Sequence, residues 1–208
     1  MVSLPEEIFK DTYGKVKKLI VTKKLVPGQL ITEHRLSHTL NIKDDTVPVV
    51  LLQLKQESLL VGSLDNGLTV RELNEQEVSE MFDCRIALET MAVKLFTQNA
   101  PQSKIDDLRS LLVPFENGPK NGYVFYKIDR YFHEFIIKNC GNKTLYEMYK
   151  SAKILPFMDL MGLNRPLHLI LKMHLDLVSA MHHRDENKAV EILSMNLENA
   201  KKSHIYCP

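Results

Sequence analysis

The 208-residue chain has no tryptophan, only three cysteines, and almost no net charge, +1 with histidine neutral. Each shortage removes a class of protein. Cys84, Cys140 and Cys207 lie far apart and form no C-x-x-C pair, so neither a disulfide framework nor a thiolate metal knuckle is expected. Nowhere do about 18 uncharged apolar residues run together, which leaves no candidate for a membrane-spanning helix. The opening MVSLPEEIFKDTYGK lacks the charged-then-apolar layout of a signal peptide, and the protein is expected in the cytoplasm with no membrane partner. There is no glycine-rich phosphate loop, and no Ser-His-Asp or Cys-His arrangement stands out, so no enzyme is expected. A charge near zero gives no whole-chain argument for nucleic acid. Residues 1–70 are no different, with nine Lys and Arg against eight Asp and Glu.

What is present is an ordinary globular balance, 44% hydrophobic and 25% charged, at a length that suits two modest domains. Residues 6–24 place Ile8, Phe9, Val16, Leu19 and Ile20 at helical spacing, and Pro27-Gly28 stops the helix. The same helix concentrates Lys15, Lys17, Lys18, Lys23 and Lys24 within ten residues, either a solvated face or a phosphate-binding one. A second short helix is capped by Thr32, buries Leu36 and Leu40, and ends at Asn41; a third runs from Val47 to Gln56. Leu59-Leu60-Val61 and Leu68-Thr69-Val70 flank Asp65-Asn66-Gly67, a strong hairpin signal. Three helices followed by a β-hairpin is the order of a winged helix-turn-helix, expected over residues 1–73. From Asn74 to 208 the periodicity is helical throughout. Helices are expected over 75–98, 102–114, 122–139, 143–152, 155–161, 165–183 and 186–203, so the fold class is mainly α, with an all-α bundle after the winged head.

Polar residues interrupt the apolar stripes of that bundle. Val124, Phe125, Ile128, Phe132, Phe135 and Ile136 form one buried face, with Asp129 and His133 at i, i+4 on its edge. His174 falls among Leu167, Ile170, Leu171, Val178 and Met181, and Asn196 among Ile192, Leu193, Leu197 and Ala200. The corner at Asp185 makes the last two helices an antiparallel hairpin and puts positions 174 and 196 at one height. Four polar side chains aimed into an apolar bundle must bond one another, hold water, or hold a metal. Imidazole and carboxylate suit Zn, Ni or Mn, with open positions for an acid ligand.

Two sets of motifs carry a resemblance. Lys24-Leu25-Val26-Pro27-Gly28-Gln29-Leu30 is similar to G-x-L-x-P-G-x-x-L of the GntR family head, and Glu33 with Leu36 fits its E-x-x-L-A. Glu57-Ser58-Leu59-Leu60 and Asn66-Gly67-Leu68-Thr69-Val70 resemble E-G-L-V and N-R-G-x-x-V. Further on, Arg85-Ile86-Ala87-Leu88-Glu89 resembles R-x-x-L-E of the FCD sensing domain in the FadR-like branch. Asp129-Arg130-Tyr131-Phe132-His133 and Cys140-Gly141-Asn142 resemble its D-x-x-F-H and G-N turn.

The resemblance implies a homodimeric, ligand-responsive transcriptional regulator. Its head would meet a double-stranded DNA operator through Lys15, Lys18, His34, Arg35, Lys43, Thr46, Asn66 and Gly67. Its sensor, residues 74–208, would bind a small carboxylate next to a metal on Asp129, His133 and His174, with Asn196 where the family has its fourth ligand, a histidine. Arg85 would hold the effector carboxylate, or else form an ion pair with Asp129 or Glu89. The recognition helix departs from the pattern. The family's S-R-T-P-V-R-E-A-L aligns with Lys43-Asp44-Asp45-Thr46-Val47-Pro48-Val49-Val50-Leu51, which puts Asp44 and Pro48 in place of the two DNA-facing arginines. The wing arginine is Asn66. Arginine forks carry most phosphate and guanine contacts, so this pattern also admits a family member that has lost specific DNA readout and acts as a sensor or partner protein. A metal-dependent hydrolase is a further alternative.

Overall fold

A computed structural model describes residues 6–42, 45–63, 66–118, 121–162 and 165–206. It resolves into two compact units: residues 1–73 together with 156–162, and residues 74–155 together with 163–208.

In the first unit, helix α1 (Glu6–Val21) is followed by strand β1 (Leu30–Ile31), helices α2 (Glu33–Leu40) and α3 (Val47–Gln56), and strands β2 (Leu60–Ser63) and β3 (Gly67–Val70). Thr32 caps α2 by accepting from the Arg35 backbone N–H, and Asn41 ends it in the left-handed region at φ 50°. The strands form an antiparallel sheet in the order β1-β3-β2. Strand β1 has no sequence signal of its own: two residues are too few for alternation to register. Gly62 is obligatory, because a Cβ there would come within 2.5 Å of the Gly67 carbonyl oxygen. Val16, Ile20, Leu36, Val50, Leu54, Leu68 and Val70 close a common core, which Leu160 joins from the later part of the chain.

That later segment is tied in by charge. Lys17 Nζ lies 2.7 Å from Asp159 Oδ2, whose side chain is 1% exposed, and 3.6 Å from Glu57. Tyr13 donates to Glu57 at 2.6 Å and accepts from Lys17 at 2.9 Å. Lys23 donates to the Leu160 carbonyl. The expected division at residue 73 therefore omits a piece of the head: residues 156–162 complete its core from a distance no local periodicity could signal.

The second unit is built from α4 (Glu75–Asn99), α5 (Gln102–Leu112), α6 (Gly122–Asn139), α7 (Lys143–Ser151), the first residues of α8 (Ile154–Met161), α9 (Leu167–His182) and α10 (Glu186–Tyr206). Helix α5 tightens at its end into a 3₁₀ turn, Val113–Phe115, around Pro114. A capping box of Asn74 and Glu77 opens α4. Asn121 and Asn142 cap α6 and α7 by accepting from Val124 and Leu145. Helix α4 is the spine, flanked by α6, α7, α9 and α10. Phe82, Phe96, Phe125, Phe132, Ile105 and Tyr149 fill the interior.

Candidate functional site

Polar side chains enter this apolar interior from four helices. Arg85 and Glu89 lie one turn apart on α4, Asp129 and His133 one turn apart on α6, His174 on α9 and Asn196 on α10. Arg85, Glu89, His133, His174 and Asn196 are all buried. The i, i+4 spacings make each pair converge; core packing against the surrounding apolar residues holds them there.

Arg85 Nε donates to Glu89 Oε1 at 2.8 Å, and Glu89 Oε2 lies 2.7 Å from His133 Nδ1. Burial alone would push the Glu89 carboxyl up, but the Arg85 guanidinium and then His133, by charge and by hydrogen bond, hold it down to about 2. An ionised Glu89 fixes the His133 tautomer: Nδ1 carries the proton and Nε2 is left as a donor of electrons. That Nε2 stands 3.8 Å from Asp129 Oδ1, and His174 Nε2 stands 3.3 Å from the same oxygen. The three ligand atoms lie within 4.8 Å of one another. A tetrahedral ion with bonds of about 2.1 Å sets its ligands about 3.4 Å apart, so the two contacts to Asp129 match that spacing and the widest pair must close by more than about 1 Å.

His174 is fully buried, stacks on Phe132 at 4.2 Å, and neither of its ring nitrogens makes a hydrogen bond. Burial first, then the charges of His133 and Arg165, push its pKa well below the ordinary imidazole value, so it is neutral, the form that binds metals. Burial raises the Asp129 carboxyl, against the pull of His133 and Arg85. Asn196 has a different partner. Its Oδ1 accepts from Arg165 Nη1 at 2.7 Å, and the Asn196 carbonyl accepts from the same nitrogen at 3.3 Å. An amide oxygen already bonded to a guanidinium is a poor metal ligand, which revises the expectation of a fourth ligand at 196.

Residues 80–199 match the family model of the FCD domain. The HTH-type transcriptional regulator YdhC of Bacillus subtilis is 25% identical over 151 residues, 71% of this chain and 67% of its own. The solved structure of Escherichia coli McbR/YncC superposes with a TM-score of 0.70 at 21% identity, covering 96% of this chain and 95% of that one. The metal-free FCD domain of TM0439 superposes with a TM-score of 0.57 at 21% identity over 64% of this chain and 95% of that domain. The chain belongs to the GntR family, as a regulator with an FCD domain. Its relatives and neighbours are regulators of transcription, and the hydrolase alternative falls with that finding.

In the FCD domain the expected residues Asp129, His133 and His174 come together and Arg85 forms its ion pair with Glu89 rather than with Asp129. Two participants were not singled out from sequence. Glu89 is expected only as a partner of Arg85, although its i, i+4 place after Arg85 on a buried face was a signal. Arg165 sits in the Gly162-to-Pro166 stretch, where no periodicity marks a direction.

The GntR head gives a mixed picture. Lys15 and Lys18 on α1, His34 and Arg35 on α2, and Asn66 in the wing are exposed, and Lys15 pairs with Asp11 at 2.7 Å. Gly67 opens β3 at φ 89°. Thr46 is corrected: its side chain is 1% exposed and faces the core, so it offers nothing to DNA. Thr46 is the N-cap residue of α3, with Pro48 tolerated in the first turn where no helical N–H bond is needed. Lys43 and Asp44 lie outside the described residues. Among the described residues no helix is long and apolar enough to cross a membrane.

Proposed function

We propose that this FCD regulator binds a small carboxylate beside a divalent ion, Zn, Ni or Mn, and acts as a homodimer on a double-stranded DNA operator in the cytoplasm. His174 carries the reading. Neither ring nitrogen of this buried imidazole makes a hydrogen bond, a buried polar atom without one costs about 1–3 kcal/mol, and Nε2, 3.3 Å from Asp129 Oδ1, is placed to share an ion with that carboxylate. Asp129, His133 and His174 would hold the ion, which supplies open positions for an acid oxygen. Glu89 holds the His133 proton on Nδ1. Arg85 anchors Glu89 and would keep further guanidinium N–H donors for the effector carboxylate. Elemental analysis after equilibration with Zn or Ni, followed by calorimetry, tests this. One equivalent is expected, lost in His174→Ala. A wild-type protein that retains none overturns it.

A second reading concerns the head and rests on α3. Its outward residues Val49 and Leu52 are each 45% exposed and neither can pair with phosphate or a base edge. Contacts to DNA would then come from the α1 lysines and be poor in sequence discrimination. Filter binding to the protein's own promoter across several salt concentrations separates the readings: a shallow salt dependence with strong preference for one sequence overturns the second.

A further inference from the structure

A cleft of about 180 Å³ opens in the head between the end of α1, the turn over residues 24–29, β1 and α2. Its apolar lining is Leu19, Leu25, Ile31 and Leu36, the last two buried in the head's core, together with Leu30, which is 52% exposed. Leu30 leans over the wing at Gly67, where a Cβ would come within 2.5 Å of Leu30 Cδ1. Two exposed cations, Lys24 and Arg35, complete the lining, and no described lining residue is acidic. Among the described residues neither cation has a side-chain partner. The other polar side chains spend their oxygens on nearby backbone. Gln29 Oε1 accepts from the Val26 N–H, Thr32 Oγ1 accepts from the Arg35 N–H, and Thr39 Oγ1 donates to the Arg35 carbonyl. The cleft therefore offers a ligand apolar wall and positive charge.

Size and charge together set the ligand class. An apolar cavity of about 150 Å³ holds benzene, so a single aromatic ring fits here. A carboxylate on that ring would meet the Arg35 fork, which receives such a group through two parallel N–H donors. We propose that the cleft is a ligand site for a small aromatic carboxylate, ring against Leu30 and Leu36 and carboxylate on Arg35 and Lys24, and that its occupancy takes Arg35 away from DNA phosphate. The site stands on the cleft alone and needs no metal; the competition rests on the DNA reading above.

The test uses the full chain with a chelator present, so that no ion draws carboxylates to the FCD domain, and benzoate, benzamide and acetate as probes. Calorimetry on wild type should find benzoate bound about tenfold more tightly than acetate, which lacks the ring, and about fivefold more tightly than benzamide, which lacks the charge. Arg35→Gln should lose most of the preference over benzamide. Thr39→Phe, which puts a ring into the cleft from an exposed position on α2 and leaves both cations in place, should lose the preference over acetate. Benzoate bound equally by wild type and either variant, or no preference for benzoate over acetate in wild type, overturns the site. In filter binding to the protein's own promoter at low salt, saturating benzoate should weaken wild type about fivefold relative to the same concentration of acetate and leave Arg35→Gln unaffected. DNA affinity that stays level while calorimetry shows benzoate bound overturns the competition and keeps the site. A wild type that binds no DNA overturns the DNA reading and the competition with it, again without touching the site.

Discussion

The two units place their proposed functional residues at opposite depths, and their departures from the family pattern differ accordingly. In the head the residues proposed to face DNA, Thr46 apart, lie at or near the surface, and the core of Val16, Ile20, Val50, Leu54 and Leu68 is closed with Pro48 and Asn66 standing where the family pattern has arginines. In the FCD domain the residues proposed to hold the ligand are interior. Asn196, where the family pattern has a histidine, is a polar side chain in an apolar bundle, and Arg165 satisfies it. A surface site degrades without a structural trace; a buried one changes only together with its neighbours.

The largest test of that contrast is Glu89→Gln. It leaves Arg85 buried without its counter-charge, and the expected loss is about 3–5 kcal/mol in denaturant unfolding, with metal affinity down about tenfold or more as His133 loses its orienting carboxylate. The same group gives a pH signature. The folded Glu89 sits at about 2 against an ordinary 4.5, so its contribution of about 3 kcal/mol is complete above pH 4.5 and vanishes as pH falls from there towards 2. Wild type should lose that stability in acid and Glu89→Gln should not; parallel pH profiles would show that Glu89 is not the stabilising charge.

Among the described residues the head buries one charge, Asp159, and it sharpens the comparison. Lys17→Met removes the cation 2.7 Å from Asp159, whose side chain is 1% exposed, and should cost about 2 kcal/mol of head stability. Asp159→Leu leaves Lys17 with Glu57 and Tyr13 and should cost less than half as much. Equal losses in thermal unfolding would mean that shape, not charge, holds residues 156–162 to the head.

How far the sequence foretold all this follows the same division. Long periodic helices, the caps at Thr32 and Asn41 and the wing at 60–70 were legible because each rests on neighbours within one turn or one hairpin. Asp129, His133, His174 and Asn196 were legible as polar breaks in apolar stripes. The attachment of residues 156–162 to the head and the grip of Arg165 on Asn196 were not, since they join positions 31 to more than 100 residues apart with no periodic trace. Asn196→His checks how much of the site remains from the family pattern. A nitrogen donor freed from Arg165 should tighten zinc about tenfold by calorimetry, and an unchanged affinity would place position 196 away from the ion.

The smallest expected effect lies at the surface, where a single charge is screened by salt. Asp44 lies outside the described residues, and the argument for it comes from sequence: it stands where the family keeps a DNA-facing arginine. A carboxylate facing a polyanion is repelled, whereas an arginine fork pairs with phosphate and releases a counterion. Asp44→Arg should therefore tighten DNA binding about fivefold at low salt and steepen the salt dependence by about one phosphate contact, leaving sequence preference nearly flat. Thermal unfolding should not move, because the head's core does not depend on this position. If wild type instead binds one operator tightly at physiological salt and Asp44→Arg weakens it, then the aspartate reads bases, and the head has changed its specificity, not lost it.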